Sequence, residues 1–359
     1  MGGAVPLSSL LAIVPTTALL LVGSAVFAFA LAAVFAPFVG LAARRLGMLD
    51  LPGGRRLHPR PIPRPGGFAI AAAFGVAIFL FWLVDRIAGQ PFLIPEEVRS
   101  SRFTLTAFAA LLGVLVGLVD DFFELRARWQ FLGLMGVAAV IVYAGIRIDF
   151  VNDPFDDGVL QLALPIAVAF TMFWIVGMNV ALNFIDGLDG LAAGVAAIAA
   201  LTLGGLALLP QVSEPFVAWM AFTLAGAICG FLLFNFHPAR LFLGTTGVAF
   251  LGTMLAVLSI FGTSKVAAAL LVLGVPIIDT FHHRLLDVGL SHPQAVLVIY
   301  AMTAVLGTIA YMTSGRTQLV SFAGFAVLLG VAVVGLAQRA TKASELDPGL
   351  YPSEEADTA

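Results

Sequence analysis

Residues 183–194 read NFIDGLDGLAAG, one amide and two carboxylates within seven residues of a chain that is 60% hydrophobic. A carboxylate buried in hydrocarbon without partners is strongly disfavoured, so such a stretch marks either a membrane–water interface or a site that binds something. Its neighbours decide which. An apolar run, 159–180, precedes it and another, 190–209, follows, so the motif falls at a turn between two membrane-length segments.

The same pattern extends in both directions. Charged residues make up only 11% of the 359, and the mean hydropathy is +1.04, too apolar to cover the surface of a soluble domain. Apolar runs fall at 10–35, 67–88, 103–119, 129–146, 159–180, 190–209, 215–234, 244–262, 266–281, 294–312 and 318–337. We expect an all-α, polytopic membrane protein of about 11 transmembrane helices, with one transmembrane domain over 1–340 and an acidic, disordered tail over 341–359. The first run lacks a basic flank and is too long for a secretory signal, so it reads as a helix. The single cysteine, Cys229, lies inside a run and provides no disulfide framework.

Assigning the loops to alternating sides puts 12 of the 18 Lys and Arg residues on one side, Arg44, Arg45, Arg126 and Arg240 among them. The positive-inside rule makes that side cytoplasmic, with the N-terminus outside and the C-terminus inside. Every polar motif emerges on the same side: GGRRLHPRPIPRPGG (53–67), GLVDDFFELRAR (117–128), NVALNFIDGLDG (179–190), FNFHPARLFLGTTG (234–247) and PIIDTFHHRLLDVGLSH (276–292).

These segments gather Asp120, Asp121, Asp186 and Asp189, amides Asn179, Asn183 and Asn235, histidines His58, His237, His282 and His283, and several arginines. Carboxylates with arginines suit Mg²⁺ and a diphosphate: Mg²⁺ takes one or two protein carboxylates plus phosphate oxygens, and guanidiniums pair with the remaining oxygens. Taken singly, each feature has a plainer reading. Arg44 and Arg45 would then set topology, Phe242 would anchor at the interface, and Asn235 would end a helix. Their coincidence on one face favours a site.

VDDFFEL, NxxxNFIDGLDGLA and FNxxPARLFLG, each at a helix end, resemble the polyprenyl-phosphate N-acetylhexosamine-1-phosphate transferase family, over about 55–304. HPRPIPRPGG and HHRLLDVGLSH look closer to the branch using UDP-N-acetylglucosamine than to the muramoyl-pentapeptide branch. The resemblance implies transfer of a sugar 1-phosphate from a UDP-N-acetylhexosamine to a polyprenyl phosphate such as undecaprenyl phosphate, with Mg²⁺ (or Mn²⁺) as cofactor. It also implies a multi-pass location in the bacterial cytoplasmic membrane, is compatible with a homodimer, and gives no role to nucleic acid.

By motif, Asp121 would hold Mg²⁺, and Asp120 the metal or the lipid phosphate. Asn183, Asp186 and Asp189 would face the nucleotide and metal. Asn235 and Phe242 match a uracil pocket, Arg56 and His58 the first-loop basic motif, and His282, His283 and Arg284 the loop that contacts the diphosphate. Two departures stand out. Where the family has FxGDxGS, with a metal-binding aspartate, this chain has Thr245, and PIIDTFHH lacks the usual basic segment before its histidines. They raise a second reading, an edited homologue that binds lipid phosphate or nucleotide without turnover. A transporter would need charged or unwound sites midway through its spans, and the sequence shows none.

Overall fold

The computed structural model describes residues 7–52, 60–88, 94, 96, 102–152, 158–262, 285–286, 290–313 and scattered positions over 317–335. Nine apolar helices occupy these residues: α1 (Leu7–Leu46), α2 (Gly67–Ile87), α3 (Arg102–Phe123), α4 (Ala127–Tyr143), α5 (Leu164–Ile185), α6 (Leu191–Ala207), α7 (Pro215–Asn235), α8 (Gly244–Phe261) and α9 (His292–Met312). Seven are long and apolar enough to cross a membrane; α4 and α6, at 17 residues, fall short by length. At 1.5 Å per residue those two reach about 26 Å, against a hydrocarbon core of about 30 Å. The span expected at 266–281 lies outside the described residues, and the described positions of 318–337, including 320–325, are helical.

The first helix overruns its expected end. The expected run ends at residue 35, yet α1 continues through Pro37 to Leu46, for 40 residues and about 60 Å. The helix packs along α7. Ala28, Ala32 and Ala36 are fully buried, and Gly226 and Gly230 are pressed so closely on α1 that a Cβ would lie 2.1 Å from the Ala25 oxygen and 2.2 Å from the Phe29 oxygen. Small residues admitting backbone to backbone are the usual means of helix association in lipid.

The centre of the bundle is α8, buried continuously from Thr246 to Phe261. A polar seam joins it to α5: Trp174 Nε1 donates to Ser259 Oγ (3.0 Å), and Asn179 Nδ2 donates to Thr253 Oγ1 (3.4 Å) and to the Ile175 carbonyl (2.8 Å). Asn179 therefore belongs to the interior, although its sequence position grouped it with the site amides. Such interhelical bonds contribute on the order of 0.6 kcal/mol each.

Two short antiparallel ribbons accompany the helices. β1 (Leu49–Asp50) pairs with β2 (Ile62–Pro63), and β3 (Phe150–Asn152) pairs with β4 (Val159–Gln161). Residues preceding a proline are pushed to extended backbone, and Arg60, Ile62 and Arg64 all precede one, which favours β2 over a helical turn. At the end away from the polar motifs, Arg102 pairs with Glu214 (3.1 Å) and lies over the Phe261 ring, joining the start of α3, the start of α7 and the end of α8.

Candidate active site

The DGLDG turn links α5 to α6 in five residues. Gly190 stands at φ +80° before α6, a conformation glycine adopts without strain, and its carbonyl accepts the Tyr300 hydroxyl at 2.5 Å. The Tyr300 ring lies against Gly194, where a Cβ would come within 1.9 Å of it, so α9 is held directly behind the turn. The carboxylates of the turn are thus carried by three helices.

Around this turn opens a cleft of about 1670 Å³ at the end of the bundle. It is larger than a typical single-ligand pocket of roughly 300–1,000 Å³. Asp120, Asp121, Asp186 and Asp189 all line it, as do Asn183, Asn235, Phe242 and Thr245, so eight residues singled out from separate motifs come together. Arg56, His58, His282, His283 and Arg284 lie outside the described residues.

Each carboxylate has different partners. Asp120 Oδ1 accepts from the Leu125 amide (3.1 Å) and Gln130 Nε2 (2.8 Å), which closes the turn between α3 and α4. Asp121 faces the first turn of α8: Oδ1 accepts the Thr245 N–H (2.9 Å), and Oδ2 accepts the Thr246 N–H (2.9 Å) and hydroxyl (2.5 Å). Asp189 Oδ2 accepts from His237 Nδ1 (2.9 Å) and the Ala239 amide (3.0 Å), and the His237 ring stacks on His292 with centroids 5.2 Å apart. An ionised carboxylate can only accept, so its proximity puts a proton on His237 Nδ1.

Asp186 differs from the other three. Its carboxylate is open to the cleft and makes no hydrogen bond among the described residues, although its backbone N–H donates to the Asn183 carbonyl (3.3 Å). Enclosure by the surrounding protein, followed by the charges of Asp121 and Asp189, pushes its carboxyl well above the usual carboxylate range. Access to the cleft and desolvation coexist because the residue lines a hollow with protein gathered around it.

The other wall comes from the segment before α2. Phe242 N–H donates to the Pro63 carbonyl (2.9 Å), while Gly66 and Gly67 N–H donate to the Phe242 and Leu243 carbonyls (2.9 and 2.8 Å). Asn235 is buried at the end of α7, and its Nδ2 donates to the Leu241 carbonyl (3.0 Å), which fastens the loop that carries Phe242. Arg64 ties Asp50 of β1 (2.8 Å) to Glu124 beyond α3.

Arg44, Arg60, Arg64, Arg240 and His292 also line the cleft without having been assigned to it from sequence, and so does His237, which was gathered with the polar motifs but given no role. Arg44 had a plainer reading as a topology determinant, and only the overrun of α1 brings it here. The signal for His237 was its place in FNFHPAR, two residues from Asn235.

Six carboxylates and four arginines line the cleft among the described residues, an excess of negative charge where anionic substrates would dock. No three His, Cys, Asp or Glu side chains among the described residues are grouped so as to hold a metal by themselves. The donors present fit Mg²⁺ in its usual role, bound by one or two carboxylates and completed by water and phosphate oxygens. Asp186, whose carboxylate oxygens have no hydrogen-bond partner among the described residues, would be its principal holder.

The chain is similar to known proteins over most of its length. A model of glycosyl transferase family 4 matches residues 103–263, from α3 through α8. The probable undecaprenyl-phosphate N-acetylglucosaminyl 1-phosphate transferase of Bacillus subtilis (strain 168) is 33% identical over 311 residues, covering 79% of this chain and 82% of the relative. The decaprenyl-phosphate N-acetylglucosaminephosphotransferase of Mycolicibacterium smegmatis is 30% identical over 358 residues, covering 84% and 85%. A phospho-N-acetylmuramoyl-pentapeptide-transferase of Listeria welshimeri is 31% identical over 238 residues, covering 63% and 69%.

Proposed function

Because the chain belongs to glycosyl transferase family 4, the polyprenyl-phosphate N-acetylhexosamine-1-phosphate transferases, we propose that it transfers N-acetylhexosamine 1-phosphate from a UDP-sugar to undecaprenyl or a similar polyprenyl phosphate. A lipid phosphate oxygen attacks the phosphorus that carries the sugar, the bond from that phosphorus to the bridging oxygen breaks, and UMP leaves with the electron pair. The product is a polyprenyl diphosphate-sugar for the cell envelope. The observation that carries the reading is the convergence of eight motif residues in one cleft at one end of a membrane bundle, with room for two ligands. That end would face the cytoplasm of a bacterial cell, where a nucleotide sugar meets the inner leaflet.

Relatives named for N-acetylglucosamine match more of the chain than the muramoyl-pentapeptide relative does, which favours UDP-N-acetylglucosamine as donor. Asp186 would hold Mg²⁺, with Asn183 beside the nucleotide and Phe242 stacked on its base. When bound, Mg²⁺ neutralises charge on the diphosphate that two anionic reactants must share. Arg44, Arg60 and Arg240 stand in the cleft to pair with phosphate oxygens. A lipid phosphate is already largely ionised near neutral pH, so positioning matters more than a strong base.

The test is lipid-dependent release of UMP from UDP-N-acetylglucosamine by the purified protein in detergent with Mg²⁺. Turnover supports the transferase. Nucleotide binding without UMP supports the edited homologue, the reading favoured by Thr245 where a carboxylate is expected.

Thr245→Asp extends the test, because Thr245 lines the cleft beside Asp121. A carboxylate there should lower the half-saturating Mg²⁺ concentration roughly tenfold, the low end of effects seen around metal ligands. It should also lower the melting temperature of the metal-free protein through like-charge repulsion. An unchanged Mg²⁺ requirement would remove Thr245 from the neighbourhood of the metal.

A further inference from the structure

Thr246 has no part in the family's chemistry as carried over from sequence, and Asp121 was expected to hold the metal. The geometry gives this pair a different task. An ionised carboxylate offers about four acceptor positions. Three of those on Asp121 are occupied, by the Thr245 N–H, the Thr246 N–H and the Thr246 hydroxyl. Thr246 is fully buried and Asp121 nearly so, at 7% exposure.

The donors belong to the first turn of α8, where backbone N–H groups have no partner within their own helix. A carboxylate supplied by α3 caps that turn from outside, and its charge also opposes the positive end of the helix. The backbone is shaped to allow this. A Cβ on Gly117 would lie 2.3 Å from Thr246 Cα, so only glycine lets α3 come this close. Gly244, at φ +70°, packs on the other side, where a Cβ would meet the Arg64 carbonyl at 2.3 Å and Asp121 Oδ2 at 2.9 Å.

We propose that Asp121 and Thr246 form a clasp that fixes the first turn of α8 in the cleft wall, and that both act as positioning residues rather than as metal ligands. Through the clasp, α3 sets the placement of Thr245 and, through the adjoining loop, of Phe242. Asp186 is left as the carboxylate that meets the metal. The proposal rests on the transferase reading for its kinetic consequences and on geometry alone for its structural ones.

The experiment uses the full chain in detergent and compares Thr246→Val, Thr246→Ser, Asp121→Asn and Asp120→Asn. Valine keeps the shape of threonine and removes the hydroxyl; serine restores it. Asparagine at 121 turns an NH₂ toward backbone donors. Hydrogen–deuterium exchange should show faster uptake over 242–248 in Thr246→Val and Asp121→Asn. Over the same peptide, Thr246→Ser and Asp120→Asn should match wild type, since Asp120 bonds to the turn after α3 instead. In turnover, Thr246→Val should lower kcat roughly tenfold, the scale of one charge-assisted hydrogen bond, with serine rescuing it and half-saturating Mg²⁺ unchanged.

Normal uptake over 242–248 in both Thr246→Val and Asp121→Asn would overturn the clasp. A raised Mg²⁺ requirement in Asp121→Asn with normal uptake would overturn it too and make Asp121 a direct ligand. If wild type turns over no substrate, the transferase reading fails on its own, and the exchange result still decides the clasp.

Discussion

Asp186→Asn is expected to lower lipid-dependent UMP release steeply and, at the same time, to raise the melting temperature of the metal-free protein. The two effects share one cause. The Asp186 carboxylate stands in the cleft without a hydrogen-bonding partner among the described residues, desolvated by the surrounding protein and facing the charges of Asp121 and Asp189. Its ionised form is unfavourable in the absence of a cation, so the folded state binds the proton more tightly than the unfolded chain does. Between the ordinary carboxylate value of about 4 and the raised one, the native state holds more protons, and stability falls as pH rises through the folded pKa. Above that value the strain of the charge is fully present, and an amide of the same shape removes it. Metal-free wild type should therefore melt lower at neutral than at mildly acidic pH, and the part of this slope due to Asp186 should vanish in the variant. Turnover should drop on the order of a hundredfold to a thousandfold, the range for losing one preorganised electrostatic group. Added Mg²⁺ should stabilise wild type and leave Asp186→Asn largely unmoved. A variant that melts like wild type across pH would remove the charge strain; one that keeps its turnover would remove Asp186 from the site.

The bundle and the face of its site could be read from sequence because both depend on local properties. Hydropathy places α2, α3, α7 and α8 within a few residues and α5 five residues too early, and alternating loops put the DGLDG turn, Asp120 and Phe242 at the same end. Where local signals failed, a distant surface had overridden them. The helix α1 runs past its expected end at residue 35, along α7, which offers glycines to pack against. Asn179 resembles the site amides by spacing, but its helical phase points it at Thr253. The partners of the carboxylates were beyond reach for the same reason. Asp121 meets Thr246 across 125 positions and Asp189 meets His237 across 48, and no periodicity encodes which donor a carboxylate will find. A motif therefore tells which residues gather, while only the packing of α3 on α8 tells what each one does there.

That packing leads to the second large effect. Gly67→Ala should destabilise the protein far more than Gly75→Ala, although both replace a glycine of α2 by the best helix former. Gly67 opens α2 against the first turn of α8: a Cβ there would lie 2.0 Å from Gly247 Cα, 2.2 Å from its nitrogen and 2.9 Å from the Leu243 carbonyl. The obstacles are backbone atoms, which cannot swing aside as a side-chain tip can, so either the Gly67 to Leu243 hydrogen bond (2.8 Å) lengthens or α8 shifts. Overpacking of this kind costs about 3 kcal/mol when no rotamer can relieve it. At Gly75 nothing lies within 4 Å of the added Cβ. Alanine there should be neutral or stabilising, by up to about 1 kcal/mol of helix propensity. The displaced element in Gly67→Ala carries Thr245 and Thr246, so whatever protein still folds should lose turnover and show fast exchange over 242–248, as if the Asp121 clasp had been cut from the opposite side. Equal melting temperatures for the two alanine variants would mean that α2 and α8 do not meet backbone to backbone, and the cleft wall built on that contact would have to be redrawn.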